Sequence, residues 1–345
     1  MPDELHDLLA RTAHRTLDYD FTVWFWGDAI AVDGLLDAAQ ILGNERLADH
    51  AATFVNRWAG QPRSWTDHLT PGAAVLRLAN ERGDERLLDA AARLGQWLTE
   101  TVPRVGDVPL YRPDVPMYRH AVWVDTMYHL PVFYARLAAA TGDASFYRWA
   151  AAEWTSHLQV LRDPSRGPLL AHSWDTGMRV AHGFGWGRGQ GWALLGLVDL
   201  LDAIPADLEQ RRALTADLED LASAIRTAQD TTGLWHTLMH DRDSYLETST
   251  ATFVAAALLK ARRLGYLGSD YDECARTALS AAVRRVDREG GLWGVSACTY
   301  AGVAQTDDVQ MYRTLPVEVN VWGQGSALRC FAEAILAGWT PYDTA

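Results

Sequence analysis

Two kinds of helical stretch alternate along the chain. In the first, apolar residues recur at helical spacing on a polar background. Leu214, Leu218, Leu221, Ala222 and Ile225 share one face, and Asp217, Glu219 and Asp220 fill the other, as expected of a helix that buries a single stripe. In the second, apolar and small residues continue around the circumference, as in Ala251-Thr252-Phe253-Val254-Ala255-Ala256-Ala257-Leu258-Leu259. Such a helix is predicted to be covered on all sides. Short turns join the two kinds: Gly43-Asn44-Glu45, Gly83-Asp84-Glu85 and Gly142-Asp143-Ala144, with a looser copy at Leu267-Gly268-Ser269-Asp270-Tyr271. In each, glycine closes one helix in a left-handed conformation and the following Asn, Asp or Ser caps the next.

The pattern predicts outer helices over about 3–18, 45–59, 85–101, 144–161, 206–229 and 270–287, and inner helices over about 28–42, 70–81, 122–140, 189–203, 247–264 and 323–337. Twelve helices in six hairpins, with the first outer helix beside the last inner one, predict an all-α fold, a closed (α/α)6 barrel. An open solenoid is the rival, but solenoids seldom load one face with Trp- and Gly-rich loops. No internal linker is rich enough in Pro or Ser to divide the chain, so residues 1–345 are expected to form a single barrel domain. Strand-like stretches at 233–238 and 308–314 are expected to form small hairpins.

Composition narrows the function classes. The chain has 345 residues, 48% hydrophobic and 22% charged, with a net charge of −13. That charge repels phosphate backbones, and no basic cluster offsets it, so nucleic acid is excluded as a partner. The three cysteines, Cys274, Cys298 and Cys330, are widely spaced and form no disulfide framework or metal motif, which suits a reducing compartment. The acidic N-terminal segment lacks the features of a secretory signal, and no apolar run is long enough to span a membrane. A cytoplasmic enzyme is the expectation. The 15 Trp outnumber both Tyr and Phe. Many stand beside Gly and polar residues, where flat rings suit the faces of sugars, although core packing is the alternative for each one.

The longer segments leading into the inner helices carry the candidate chemistry. Asp125, between Val124 and Met127, either caps a helix or serves as a general acid/base whose pKa is raised by apolar neighbours and a second carboxylate. Asp67, in the preceding lead-in, is the candidate for that carboxylate. Gly185-Trp186-Gly187-Arg188-Gly189-Gln190-Gly191-Trp192 is not a dinucleotide fingerprint, because Gln190 or Trp192 occupies the position that needs Gly. Its alternating glycines allow close backbone approach, and Arg188 could hold a carboxylate through a bidentate pair. Helix–loop packing is the alternative. His236 and His240 lack the intervening Glu of a zinc-protease helix, so surface or core histidines are expected there and no metal. The nearest approach to a serine elbow, Gly323-Gln324-Gly325-Ser326-Ala327, places its Ser one position late.

Taken in order, Trp123-Val124-Asp125-Thr126-Met127-Tyr128, Leu169-Leu170-Ala171-His172-Ser173-Trp174-Asp175, Trp186-Gly187-Arg188-Gly189-Gln190-Gly191-Trp192 and Tyr245-Leu246-Glu247-Thr248-Ser249 resemble the unsaturated uronyl hydrolases. The resemblance is greatest to the unsaturated rhamnogalacturonyl hydrolases of glycoside hydrolase family 105, with family 88 behind. It implies an (α/α)6 barrel without metal or cofactor. It also implies release of a terminal 4,5-unsaturated uronic acid from lyase-made oligosaccharides, with Asp125 as acid/base and Asp67 as its neighbour. Trp26, His172, Trp186, Arg188 and Trp192 would bind the substrate. The chain has Trp26 where that family often has Tyr, and Gln190 where it often has Asn; both bear on the preference for the leaving sugar. Three rival readings remain: a sugar 2-epimerase using His172 and His236, a non-catalytic sugar-binding barrel, and an inverting glycosidase acting on saturated sugars.

Overall fold

The structure, a computed structural model, describes residues 2–21, 25–61, 73–299 and 308–340. Thirteen α-helices occur among them: α1 (Pro2–Thr16), α2 (Trp26–Leu42), α3 (Glu45–Ala59), α4 (Ala73–Arg82), α5 (Glu85–Glu100), α6 (Thr126–Thr141), α7 (Ser145–Leu161), α8 (Gly187–Ala203), α9 (Arg211–Thr227), α10 (Thr248–Arg263), α11 (Asp272–Val283), α12 (Asp308–Thr314) and α13 (Val321–Leu336). Helices α2, α4, α6, α8, α10 and α13 each pack against the next, and α13 returns to α2, closing the inner ring of an (α/α)6 barrel. The outer helices α1, α3, α5, α7, α9 and α11 lie against it, with α1 beside α13. The two hydrophobic patterns explain this layering. On α3, Leu47, Ala51, Phe54, Val55 and Trp58 are buried on one stripe, whereas residues Thr248 through Ala261 of α10 are buried on every side.

The turns follow the sequence logic with one exception. Gly43, Gly83 and Gly142 have φ of 60°, 62° and 75°. The side chains of Asn44, Asp84 and Asp143 accept from the backbone N–H two residues on. At the looser copy it is Gly265, with φ 76°, that ends α10; Gly268 has φ −81° and leads into a short 3-10 turn. These short turns all follow inner-helix C-termini. The opposite end of the ring therefore receives the long lead-in segments.

Short antiparallel strands fold those segments over that end: β1 (Arg104–Val105) with β2 (Val108–Pro109), β3 (Ala121–Trp123) with β4 (Ser173–Asp175) and β5 (Val180–His182), β6 (Trp235–His236) with β7 (Leu246–Glu247), and β8 (Val295–Ser296) with β9 (Val317–Glu318). The hairpin expected near 233–238 is the β6–β7 pair. Residues 308–314 form helix α12 rather than strand. Their alternation of apolar and polar residues is too short to separate the two periods.

Two Gly-Gln-Gly steps open α8 and α13. Gln190 donates to and accepts from the Leu170 backbone, both at 2.9 Å, and Gln324 accepts from Leu292 N–H at 2.7 Å and donates to Gly290 carbonyl at 3.0 Å. Each amide thus pairs with a peptide group of a lead-in segment. The second helix must also lie close to its neighbour. A Cβ on Gly325 would fall 2.5 Å from Ala31 N of α2.

At the C-terminal end of the ring, inner helices exchange buried charges. Lys260 ion-pairs with Asp199 at 2.6 Å, and Arg329 pairs with Asp199 at 3.1 Å and Asp37 at 2.8 Å. Arg329 also donates to the Tyr128 hydroxyl at 2.6 Å, which donates to Asp33 at 3.0 Å. Burial alone would raise the Asp199 carboxyl, but Arg329 and Lys260 hold it well below the ordinary range. Removing one member strands the others in low dielectric. Arg329→Met is expected to cost about 3–5 kcal/mol, seen as a fall in Tm of roughly 5 °C by calorimetry.

Candidate active site

Asp125 lies between β3 and α6, at the end of the ring that receives the lead-in segments. The three-stranded β3–β4–β5 sheet places His172 beside it: Val124 N–H donates to the His172 carbonyl at 2.9 Å, and His172 Nε2 stands 3.6 Å from Asp125 Oδ2. Asp125 occupies the N-cap position of α6, yet its side chain makes no capping bond. Capping does not account for it. The carboxyl is 2% exposed, and Oδ2 has no hydrogen-bond partner among the described residues.

Burial pushes the Asp125 carboxyl up to about 7, against the opposing charge of Arg188. Apolar neighbours and a second carboxylate were the expected causes; among the described residues the one that acts is loss of water. Asp67 lies outside the described residues, as do Trp24 and Trp65. Another carboxyl is raised by burial on the first turn of α2: Asp28, 6% exposed, is pushed up to about 8, with the charge of Asp20 adding to the effect.

Two of the remaining candidates, Trp186 and Arg188, lie beside His172. Its ring stacks on Trp186 at 3.8 Å and 26°, and the guanidinium of Arg188 lies 4.7 Å from the Trp186 ring centre. On the other side, Trp123 is 5.5 Å from His172 and stacks on Tyr111 at 4.3 Å. Burial holds the His172 ring well below its ordinary pKa, with Arg188 and His182 adding to the effect, so it is neutral. Trp192 sits deeper. It is fully buried, 4.2 Å from Phe253 and 5.1 Å from Tyr128, and Trp26 meets its edge at 6.2 Å.

Arg188 is almost wholly committed to protein partners. Nη1 donates to the Ser296 hydroxyl at 2.5 Å and carbonyl at 3.0 Å, and Nη2 donates to the Ala297 carbonyl at 3.2 Å. Glu247 Oε1 is 3.6 Å from Nη1. Nε has no partner among the described residues, and neither do the indole N–H groups of Trp123, Trp186 and Trp192. Buried donors are ordinarily paired. Three of these donors, on Trp123, Trp186 and Arg188, belong to side chains around His172 and Asp125, and with the unsatisfied carboxyl oxygen they suit the hydroxyls and carboxylate of a polar ligand better than they suit packing.

Other residues of the candidate site carried weaker sequence signals. Glu247 caps α10, accepting from Thr250 N–H at 2.8 Å, and also accepts from Ser296 N–H at 2.9 Å. Its position in Leu246-Glu247-Thr248-Ser249-Thr250 is readable as a cap, but its contact with Arg188 is not. Tyr312 of α12 bonds to His172 Nδ1 from within the segment read as a strand. Gln190, a departure from the resembled family, is fully buried and tied to the Leu170 backbone, so it holds the segment leading to His172. His236 Nδ1 bonds to the Ser244 carbonyl, and no group of three or more metal-ligating side chains occurs among the described residues.

The profile of Glycosyl Hydrolase Family 88 matches residues 8–337. The chain belongs to that family. Within it, the chain is similar to the unsaturated rhamnogalacturonyl hydrolase YesR of Bacillus subtilis, with 27% identity over 96% of this chain and 95% of YesR. Among solved structures, a possible member of the GH105 family from Klebsiella pneumoniae superposes with a TM-score of 0.85 at 23% identity, over 98% of this chain and 94% of that one. A family 105 glycoside hydrolase from C. acetobutylicum superposes with a TM-score of 0.81 at 20% identity, over 95% of this chain and 98% of that one. Both share the fold of this Family 88 chain. Among the described residues, no helix is long and apolar enough to cross a membrane.

Proposed function

We propose that this Family 88 glycosidase releases a terminal 4,5-unsaturated uronic acid from lyase-generated oligosaccharides in the cytoplasm, by hydrating the double bond. The observation that carries the reading is Asp125, a carboxyl buried to 2% exposure with an unpartnered oxygen, beside a neutral His172 and the cationic Arg188. The similarity to YesR supplies the substrate class.

The chemistry fits the site. The alkene is a vinyl ether, so it is electron-rich and takes a proton at C4 from an acid still protonated near neutral pH. Burial keeps Asp125 in that form. The proton leaves as a C–H bond forms at C4, and positive charge develops on C5 and the ring oxygen. The Asp125 carboxylate left behind stabilises that charge. Water adds to C5 and returns a proton to Asp125. The C5 hemiketal opens to a ketone, C1 becomes a hemiacetal, and its collapse releases the neighbouring sugar. One carboxyl suffices, whereas displacement at C1 of a saturated sugar needs two with separate roles. Asp67 is the proposed second carboxyl, steadying the cation. Trp26, Trp186 and Trp192 bound the sugar, and Arg188 supplies the positive charge for the uronate carboxylate.

The test is an assay on lyase-made unsaturated disaccharides of different leaving sugars. Loss of the ultraviolet absorbance of the double bond, together with one free sugar per event, is expected for at least one of them. Unchanged absorbance with interconversion of a saturated sugar overturns the reading in favour of an epimerase. Binding without turnover across the panel overturns it in favour of a sugar-binding barrel.

A further inference from the structure

Tyr312 is the fully buried side chain of the short helix α12. Its hydroxyl lies 2.5 Å from His172 Nδ1, and the opposite ring nitrogen, Nε2, is 3.6 Å from Asp125 Oδ2. The three groups form a line from α12 to the start of α6. The seat for the phenol is shaped by Gly183, whose φ is +63° and where a Cβ would fall 2.1 Å from the Tyr312 oxygen. Helix α12 is anchored on its other flank by Arg313, which grips Asp241 at 2.7 and 2.9 Å.

We propose that Tyr312 is a positioning residue for the hydration reaction, its hydroxyl donating to His172 Nδ1 and so fixing the tautomer in which Nε2–H faces Asp125. This rests on the reading of Asp125 as the acid.

A neutral imidazole carries one N–H, and the hydrogen bond at one nitrogen decides the role of the other. In the first tautomer His172 offers Asp125 a donor. That donor matches the carboxylate formed when the proton moves to C4, and it leaves the Asp125 proton free for the alkene. In the second, Nε2 presents a lone pair. It competes with the alkene for the Asp125 proton before transfer and faces a carboxylate, an acceptor only, afterwards. Only the first serves both halves of the step. The Thr299 hydroxyl is 3.4 Å from each ring nitrogen, so it selects neither. Among the described residues, Asp125, Arg188 and His182 are the charged or titratable neighbours of His172 besides Tyr312 itself. His172, Arg188, Tyr111 and Cys298 are those that face Asp125. Tyr312→Phe leaves each of these side chains in place.

Tyr312→Phe keeps the ring and removes the donor. We expect kcat to fall about tenfold to a hundredfold with KM within about twofold of wild type. The alkaline limb of the pH profile should move to higher pH, because an imidazole lone pair favours the protonated carboxyl. In a His172→Gln background the same change should alter kcat by less than about twofold, since the tyrosine acts through the ring. Nitrogen-15 NMR of histidine-labelled protein, with the His172 signal assigned by its loss in His172→Gln, should show protonated Nε2 in wild type and lose that signature in Tyr312→Phe. An Nδ1–H tautomer in wild type, a wild-type pH profile and kcat in Tyr312→Phe, or an undiminished effect of Tyr312→Phe on top of His172→Gln would each overturn the proposal. Full turnover by Asp125→Asn would instead overturn the assignment of the acid. The NMR signature does not depend on that assignment, so the two failures are distinguishable.

Discussion

Asp125→Asn is expected to fold, to bind the unsaturated disaccharide, and to turn it over about 10²- to 10⁴-fold more slowly. Asparagine keeps the size of the side chain and has no acidic proton to place on C4. The same substitution has a stability signature that separates it from simple damage. The folded Asp125 carboxyl titrates at about 7 against an ordinary value of 3.8. Between those values the folded state holds a proton that the unfolded chain releases. Wild-type stability is therefore complete with respect to this group below about pH 4, declines as pH rises to about 7, and is level above that. The substituted amide never ionises, so the variant lacks the decline. The Tm of the variant relative to wild type should rise between pH 5 and pH 8 while its turnover stays low. In wild type, kcat/KM should fall as pH rises through about 7, because the proton donor is lost. Parallel loss of activity and melting temperature at every pH would count against Asp125 as the acid.

Arg188→Met should be the other large loss. The guanidinium is fully buried and joins the mouth of the barrel to β8 through Ser296 and Ala297. Its charge is also the one that faces Asp125. Removing it takes the donor from the Ala297 carbonyl and from the Ser296 hydroxyl, while the Ser296 carbonyl keeps Asn320 and Trp322, and it deprives the proposed uronate site of its cation. A fall in kcat/KM of about 10²-fold or more is expected, with a stability cost of about 3–5 kcal/mol. Arg188→Lys restores the charge without the fork and should recover only part of either. A substrate whose uronate is methyl-esterified separates the two roles. If Arg188 reads the carboxylate, the variant's deficit shrinks on the ester. A deficit of equal size on acid and ester would assign Arg188 to holding β8 alone.

How far the site could be read from the sequence depended on how local each cause was. Asp125 was conspicuous because an acid opening an apolar helix has few roles, and Arg188 because it stands among glycines that permit close approach. The source of the Asp125 shift was legible in part. Apolar neighbours and a second carboxylate were both expected; burial, a property of the assembled ring, is the cause that acts among the described residues, and Asp67 lies outside them. The partners of Arg188 were equally hidden: Ser296 lies 108 residues away in sequence, and nothing in its own neighbourhood marks it. Gln190 looked like a change in the substrate site and is a clasp on the Leu170 backbone. Tyr312 stood in a stretch of seven residues, too short for periodicity to distinguish helix from strand.

By itself the sequence determined the two-layered helical ring. The single-stripe and all-round hydrophobic patterns, together with the Gly-Asn and Gly-Asp turns, are local instructions, and closing the hairpins into a ring buries both kinds of helix. Tertiary structure alone decided which polar atoms lose their water and which distant groups replace it. Protonation of Asp125, the tautomer of His172 and the commitments of Arg188 all depend on that, because desolvation and hydrogen bonding are set by whatever packs overhead, and those neighbours come from all around the ring.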